Sequence, residues 1–180
     1  MREQSVKTLL SAILHPVEKD KPLKLNFICT HNSRRSQIAQ IWAAVAAACH
    51  SKAEMTAYSG GTEATALHPN VVHALQKIGF RIEQKGESNP RYSIYFSEQY
   101  PPIICWSKVY DASDNPTDSF IAVMVCAEAD AGCPFIPSAR KRIPLRYKDP
   151  KHADGTSEES ATYERTALEI GAEIFSFFQE

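Results

Sequence analysis

A short apolar segment that runs into a polar loop and then into a helix constrains this chain of 180 residues more than any other feature. Residues 23–29 (LKLNFIC) favour a β-strand, and the polar loop 30–35 (THNSRR) follows directly. From Ser36 to Cys49 the apolar residues recur at the spacing of one helix face. The chain is therefore predicted to leave a buried strand, turn sharply and enter a helix, as α/β proteins do.

The alternation continues along the chain. Three further strands are predicted from short apolar runs, at 55–59, 120–126 and 142–145. Three further helices are predicted from helical spacing of apolar residues, at 5–15, 69–78 and 156–178. Pro16 ends the first, Gly79 ends the second, and Thr156 and Glu159 begin the last with the spacing of a capping box. Such an alternation implies a mostly parallel sheet with helices on both faces.

Residues 80–118 do not follow the alternation. Apolar and aromatic side chains alternate with polar ones at Tyr92, Ile94 and Phe96. A second β-like run covers 103–109, which predicts a hairpin-like insertion at about 88–118. The chain has neither an internal repeat nor a long linker. We therefore expect a helical extension at 1–22 and a single domain at 23–180.

The composition excludes several classes of protein. Lys and Arg number 20 against 21 Asp and Glu, and the net charge of −1 provides no field that would attract nucleic acid or a membrane. No apolar stretch approaches the roughly 20 residues of a membrane span, and charges among the first residues disfavour a signal peptide. Five cysteines, an odd number, favour free thiols in a reducing compartment. A cytoplasmic protein is expected.

The loop after the first strand has the pattern Cys29-x5-Arg35-Ser36, which suits a tetrahedral oxyanion. A loop between a strand and a helix directs successive backbone N–H groups inward, and the helix dipole adds positive potential. Arg35 can bind two oxygens of the anion, Cys29 can attack as a thiolate, and Ser36 can donate to its sulfur. The predicted oxyanion ligands are the loop residues Thr30, His31, Asn32, Ser33, Arg34 and Arg35. The alternative is a buried cysteine followed by a solvated basic turn.

The segment 27–42 resembles the active-site loop of the low-molecular-weight protein tyrosine phosphatase superfamily. Its sequence NSRRSQIAQIW is most similar to the thioredoxin-coupled arsenate reductase branch. The segments 58–61 (YSGG) and 67–70 (LHPN) have counterparts in the same order. The resemblance covers about 23–178, apart from the insertion. It implies a phosphatase-I-like fold, with a central four-stranded parallel sheet and helices on both faces.

An aspartate before a proline carries the general acid in this superfamily, and Asp149-Pro150 is similar in position and surroundings. The oxygen that leaves as Cys29 attacks has to be protonated, and a carboxyl group close to an anion can stay protonated because like charge opposes its ionisation. The resemblance therefore implies that Asp149 is the general acid. Taken alone, Asp-Pro is also a common start of a turn.

Cys126 and Cys133 are separated by six residues and follow the most hydrophobic strand. From the residues alone, both could simply pack as small apolar side chains. A zinc site is disfavoured because the spacing is wider than a Cys-x2–4-Cys knuckle. Cys49 lies on a helix stripe and Cys105 in a β-like run, so both are expected to pack.

The arsenate reductase branch has two redox cysteines at this spacing, and CAEADAGCP (126–134) is similar to that pattern. The resemblance implies a relay in which Cys29 attacks arsenate and Cys126 then forms a disulfide with it, releasing arsenite. Cys133 next displaces Cys29 and leaves a disulfide with Cys126. The resemblance further implies a thioredoxin-like carrier as the external reductant and a segment between the two cysteines that can move.

Three positions depart from the family pattern. His31 replaces a glycine, which adds a titratable group beside the oxyanion, and Arg34 replaces a second loop cysteine. Gln40 stands where some arsenate reductases have a glutamate near a bound potassium ion. No metal site and no tightly bound cofactor are therefore expected.

Two other functions stay open. The first is a phosphatase acting on phosphotyrosine or a small phosphoester, which would use Cys29, Arg35 and Asp149. The second is a module that binds an oxyanion or a phosphoprotein without catalysis. The pair of Cys126 and Cys133 favours arsenate reduction over the first, and the intact Asp149 disfavours the second.

Overall fold

Four parallel strands form the central sheet of the computed structural model, which describes residues 2–14, 22–51, 54–132 and 135–179. The strands are β1 (Leu23–Cys29), β2 (Met55–Gly61), β3 (Arg81–Lys85), β4 (Arg91–Tyr95), β5 (Ile103–Cys105), β6 (Phe120–Met124) and β7 (Ala139–Pro144). The helices are α1 (Arg2–Leu14), α2 (Arg35–Cys49), α3 (Pro69–Ile78), α4 (Ala127–Gly132) and α5 (Glu159–Ser176), with a 3-10 helix at Pro150–Ala153. The central sheet has the order β2-β1-β6-β7, with every neighbouring pair parallel. The predicted α/β fold is confirmed.

The core lies on both faces of β1 and β6. All five residues of β6 are buried, as its uninterrupted apolar sequence predicts. Helices α2 and α5 pack against each other, and Gly171 of α5 lies directly against the indole of Trp42. A Cβ at Gly171 would come within 2.6 Å of that ring, so only glycine permits this approach.

The N-terminal helix α1 packs on the same core. It buries Leu9, Ala12 and Ile13 and contacts β7, so the predicted helical extension is continuous with the core of the domain. Pro16, the predicted stop, lies outside the described residues. None of the helices that the structure describes is both long and apolar enough to cross a membrane.

Two expectations about helix ends are wrong in detail. Cys49 is exposed, because α2 ends at this residue and its last turn emerges from the core. Thr156 and Glu159 do not form a reciprocal capping box. Instead, the hydroxyl of Thr156 accepts a hydrogen bond from the N–H of Glu158, and the carboxylate of Glu159 accepts one from the N–H of Gly155.

The insertion forms a second sheet with the antiparallel order β3-β4-β5. This sheet begins at Arg81, earlier than predicted, because four of the five residues of β3 are exposed and carry no apolar alternation. After β5 the chain returns beside β2. There the N–H of Gly61 donates to the carbonyl of Lys108 (2.9 Å), and the N–H of Tyr110 donates to the carbonyl of Gly61 (2.8 Å). The insertion is thus joined to the central sheet next to the loop that follows β1.

Candidate active site

Cys29 lies at the carboxyl end of β1, where the loop 30–34 leads into α2. Its side chain is buried, and its Sγ accepts a hydrogen bond from the backbone N–H of Asn32 (3.2 Å). The Oγ of Ser36 lies 3.0 Å from Sγ and itself accepts a hydrogen bond from the side-chain amide of Asn32 (2.8 Å). Since Asn32 fills one lone pair of Ser36, the hydroxyl proton of Ser36 is left to point at the sulfur. Both contacts direct a hydrogen-bond donor at the sulfur of Cys29.

Asn32 stabilises the conformation of the loop 30–34. Its φ of 46° is in the left-handed region, which asparagine tolerates better than most residues. Its side-chain oxygen accepts hydrogen bonds from the backbone N–H of Lys108 (2.9 Å) and from the amide of Gln37 (3.2 Å). The loop is thereby tied both to α2 and to the insertion.

Arg35 is buried beside Cys29 and carries the positive charge of the site. One of its N–H groups donates to the carbonyl of Tyr147 (2.9 Å) and another to the carboxylate of Asp149 (2.6 Å). The carboxylate of Glu128, in the first turn of α4, lies 3.8 Å from the same guanidinium. A small polar cavity, of about 20 Å³, opens between Cys29, Arg35 and Asp149 and is also lined by Thr30, His31, Ser33 and Arg34.

Asp149 reaches this cavity from the segment before the last helix. It caps the 3-10 helix by accepting a hydrogen bond from the N–H of Lys151 (3.0 Å), and its other oxygen pairs with Arg35. The cap places the carboxyl group of Asp149 in the lining of the cavity, beside Arg35.

Arg34 and His31 line the cavity and also make contacts outside it. The guanidinium of Arg34 donates to the hydroxyl of Tyr163 (2.7 Å) and to the carboxylate of Asp154 (3.3 Å), which also accepts from Tyr163 (2.8 Å). The imidazole of His31 is half-exposed and lies 3.8 Å from the carboxylate of Glu63. The bonds of Arg34 connect the loop to Asp154, in the segment that carries Asp149.

Cys126 lies next to the same loop. It follows β6, is buried, and its Sγ contacts the hydroxyl of Thr30 (3.6 Å) and the N–H of Ala129 (3.3 Å). Burial raises the pKa of this thiol, and the two hydrogen bonds partly offset the effect. The parallel register pairs Ile28 with Met124 and continues with a bond from the N–H of Val125 to the carbonyl of Ile28 (2.9 Å). In that register Cys126 follows β6 beside the end of β1 that carries Cys29.

The segment after Cys126 is helical in its described part, as α4. The buried carboxylate of Asp130 pairs with Arg142 and Arg146 and anchors this helix to the end of β7. Cys133 and Pro134 lie outside the described residues, so the geometry of the predicted third thiol is not part of this site. Cys105 is fully buried, and burial raises its pKa to about 12, as suits a packed thiol.

The segment 106–108 of the insertion belongs to the site, although the sequence gives no sign of it. The hydroxyl of Ser107 donates to the carbonyl of His31 (2.9 Å), and the amide of Gln37 donates to the carbonyl of Trp106 (2.8 Å). Asn89 in turn donates to the carbonyl of Ser107 (2.7 Å). No metal-binding group of three His, Cys, Asp or Glu residues occurs among the described residues.

Solved structures of other proteins share this fold. An arsenate reductase from Archaeoglobus fulgidus has a TM-score of 0.56 at 19% identity, over 87% of this chain and 99% of that one. A low-molecular-weight phosphotyrosine phosphatase from Vibrio cholerae has a TM-score of 0.55 at 20% identity, over 84% of this chain and 92% of that one. The fold is therefore that of the low-molecular-weight phosphatases.

The amino-acid sequence is also related to that of a known protein family. No protein-family model matches the chain. An arsenate reductase of Bacillus licheniformis is 34% identical over 152 residues, which cover 84% of this chain and 91% of the relative. The chain belongs to the family of these arsenate reductases, and the predicted branch of the superfamily is confirmed.

Proposed function

We propose that this protein reduces arsenate to arsenite and that Cys29, Cys126 and Cys133 form the thiol relay. The observation that carries the proposal is the position of two thiols at one anion site. Cys29 lies beside Arg35, and Cys126 contacts Thr30, the residue that follows Cys29. A phosphatase needs only the first of these thiols.

In the first step the thiolate of Cys29 attacks the arsenic of an arsenate ion held by the loop N–H groups and Arg35. A sulfur–arsenic bond forms, and one oxygen leaves as water after it receives the proton of Asp149. Asp149 is suited to this role because its carboxyl group already lies at the mouth of the cavity.

In the second step the thiolate of Cys126 attacks the sulfur of Cys29. A disulfide forms, the sulfur–arsenic bond breaks, and its electron pair stays on arsenic, which leaves as arsenite. In the third step the thiolate of Cys133 attacks the sulfur of Cys126 and releases Cys29 as a thiolate. A thioredoxin-like dithiol then supplies two electrons to the disulfide between Cys126 and Cys133, and such a carrier is consistent with a cytoplasmic location.

The relay is tested with Cys133→Ser. One equivalent of arsenate should release one equivalent of arsenite and leave a disulfide between Cys29 and Cys126, which peptide mass spectrometry detects. Multiple turnover with a thioredoxin system should stop. Cys49→Ser is the matched control, since Cys49 is exposed and outside the site, and it should turn over like the wild type. Undiminished turnover of Cys133→Ser would contradict the relay.

Hydrolysis of a small phosphoester is a second candidate, which the contact between Arg35 and Asp149 beside Cys29 supports. Water, instead of a thiol, would resolve the covalent intermediate, so Cys126→Ser and Cys133→Ser should both retain this activity. Measuring kcat/KM for arsenate and for an aryl phosphate on the same preparation separates the candidates. A much larger value for the aryl phosphate would favour the phosphatase.

A further inference from the structure

A second cavity, of about 700 Å³, lies between α2, the edge strand β2 and the insertion. It shares no lining residue with the cavity at Cys29. Its volume is in the range of sites that bind small molecules, whereas the cavity at Cys29 holds only about 20 Å³. We call this second cavity the insertion groove.

The insertion groove is mostly apolar. One wall is the alanine-rich face of α2, formed by Ala44, Ala47 and Ala48, whose small side chains leave the space open. The facing wall carries aromatic and aliphatic residues of the insertion. Two of them, Tyr100 and Ile104, are 42% and 41% exposed, although both are large and apolar. When a ligand covers an apolar surface of this kind, the surface is removed from water and the free energy falls.

Lys108 places a positive charge in this apolar groove. The residue is only 6% exposed, and its Nζ lies 4.2 Å from the ring centroid of Trp106. Within the part of the chain that the structure describes, Nζ makes neither a hydrogen bond nor an ion pair. The guanidinium of Arg91 contacts the same ring, also at 4.2 Å. The exposed carboxylate of Asp114 also lines the groove and attracts the charge of Lys108 from beyond ion-pair distance.

A buried ammonium group without an anionic partner is costly, because it has lost water and gained only the face of a ring. Burial accordingly lowers the pKa of Lys108. A negatively charged group placed against Nζ would restore a charge-assisted hydrogen bond. A divalent ion such as phosphate does not fit this site, because it would meet one ammonium group, the carboxylate of Asp114 and mostly apolar walls.

We propose that the insertion groove binds a small amphipathic monoanion, with its carboxylate on Nζ of Lys108 and its apolar body between the alanines of α2 and the aromatic residues of the insertion. Binding in the groove does not depend on the proposed arsenate chemistry. The groove is also physically connected to the loop 30–34 after Cys29 (the oxyanion loop), because the backbone N–H of Lys108 donates to Asn32 and the carbonyl of Trp106 accepts from Gln37.

The proposal is tested with 8-anilinonaphthalene-1-sulfonate, a fluorescent amphipathic monoanion, and with decanoate as competitor. We expect one saturable site for the probe. Decanoate should displace it at a concentration about tenfold or more below that of decanamide, which has the same body without the charge. This comparison uses the wild-type protein alone. Equal potency of the two competitors, binding of several probe molecules, or displacement of the probe by phosphate would overturn the proposal.

Variants locate the site. Lys108→Met should abolish the preference for decanoate over decanamide, whereas Lys85→Met, at an exposed lysine of β3, should keep it. Ala48→Phe should fill the groove from a half-buried position and weaken binding of both competitors about tenfold or more. Thermal unfolding of each variant shows that it is folded. Retention of the charge preference in folded Lys108→Met would contradict the assignment.

Discussion

The carboxylate of Asp149 lies 2.6 Å from the guanidinium of Arg35, the side chain that is expected to bind the oxyanion. Arg35 is buried, and a second N–H group is already used by the carbonyl of Tyr147. An incoming oxyanion that approaches this side of Arg35 meets the carboxyl group of Asp149. A carboxylate and an anion repel each other at such a distance. Asp149 and the anion therefore compete for the guanidinium.

Replacement of Asp149 by asparagine removes the proton donor and the charge that competes for Arg35. We expect kcat with arsenate to fall by about 100- to 10,000-fold, while inorganic phosphate binds at least as tightly as before. Steady-state kinetics with phosphate as inhibitor measures both quantities. Asp118→Asn is the control, because Asp118 is an exposed carboxylate that pairs with Lys24. Near-wild-type turnover of Asp149→Asn would show that Asp149 acts only as a turn residue.

Gly61, at the end of β2, supports the oxyanion loop by its lack of a side chain. A Cβ at this position would lie 2.5 Å from the carbonyl oxygen of Thr30 and 2.8 Å from the nitrogen of Asn32. Gly61→Ala should push the loop aside, lowering the free energy of unfolding by about 1–3 kcal/mol and weakening phosphate binding. Thermal unfolding and phosphate titration measure the two effects. At Gly132 a Cβ meets nothing within 4 Å, so Gly132→Ala should bind phosphate normally.

The elements around Cys29 were predictable because their signals are local. The apolar run of β1 matches the observed strand residue for residue, and α3 begins at Pro69 and ends before Gly79, as proline and glycine at these positions indicate. The oxyanion loop has a recognisable pattern for the same reason: its cysteine, its arginine and the start of the following helix lie within eight residues of the chain.

The hydrogen bonds that hold that loop in place were not predictable from the sequence, because the residues that they join lie far apart in the chain. Asn32 and Lys108 are 76 residues apart, and Arg34 and Tyr163 are 129 residues apart. Their hydrogen bonds arise only when the insertion and α5 pack against the loop. Hydropathy spacing reports which face of an element is buried, and it carries no information on which polar group of a distant segment will meet it.

Tyr163 connects the oxyanion loop to the segment that carries Asp149. Its hydroxyl accepts from Arg34 and donates to Asp154, and burial together with the bond to Asp154 raises its pKa to about 12, so it stays a proton donor at neutral pH. Tyr163→Phe should lower the free energy of unfolding by about 1–3 kcal/mol, because the half-buried Arg34 and the exposed Asp154 both lose a hydrogen bond. It should also lower kcat more than it raises KM, since the acid becomes less well placed.

Tyr95→Phe is the matched control for this change. The hydroxyl of Tyr95 donates to Glu83 on the exposed second sheet and has no connection with the loop. Its loss should leave kcat unchanged and alter the free energy of unfolding by less than about 0.5 kcal/mol. An equal loss of kcat in both variants would show that Tyr163 acts only through general stability.

In the proposed relay, the raised pKa of Cys126 should set the pH dependence of the second step. Burial is the main cause, while the N–H of Ala129 and the hydroxyl of Thr30 partly oppose it. Only the thiolate attacks a sulfur, so at neutral pH most of the protein waits with Cys126 protonated. The free energy of unfolding should instead fall as the pH rises above the ordinary pKa of a cysteine. In that range the unfolded chain ionises this thiol before the folded one does.

In Cys133→Ser, the rate of arsenite release in a single turnover should therefore rise about tenfold per pH unit until the pKa of Cys126 is reached. Thr30→Val, added to this variant, removes a hydrogen bond that stabilises the thiolate, so it should raise that pKa further and move the whole profile to higher pH. Thr56→Val, at an exposed position of β2, is the control and should leave the profile in place. Rapid quench with arsenite detection measures the rates. A profile that is flat between neutral and alkaline pH, or one that Thr30→Val moves to lower pH, would contradict the assignment of Cys126 as the second thiol.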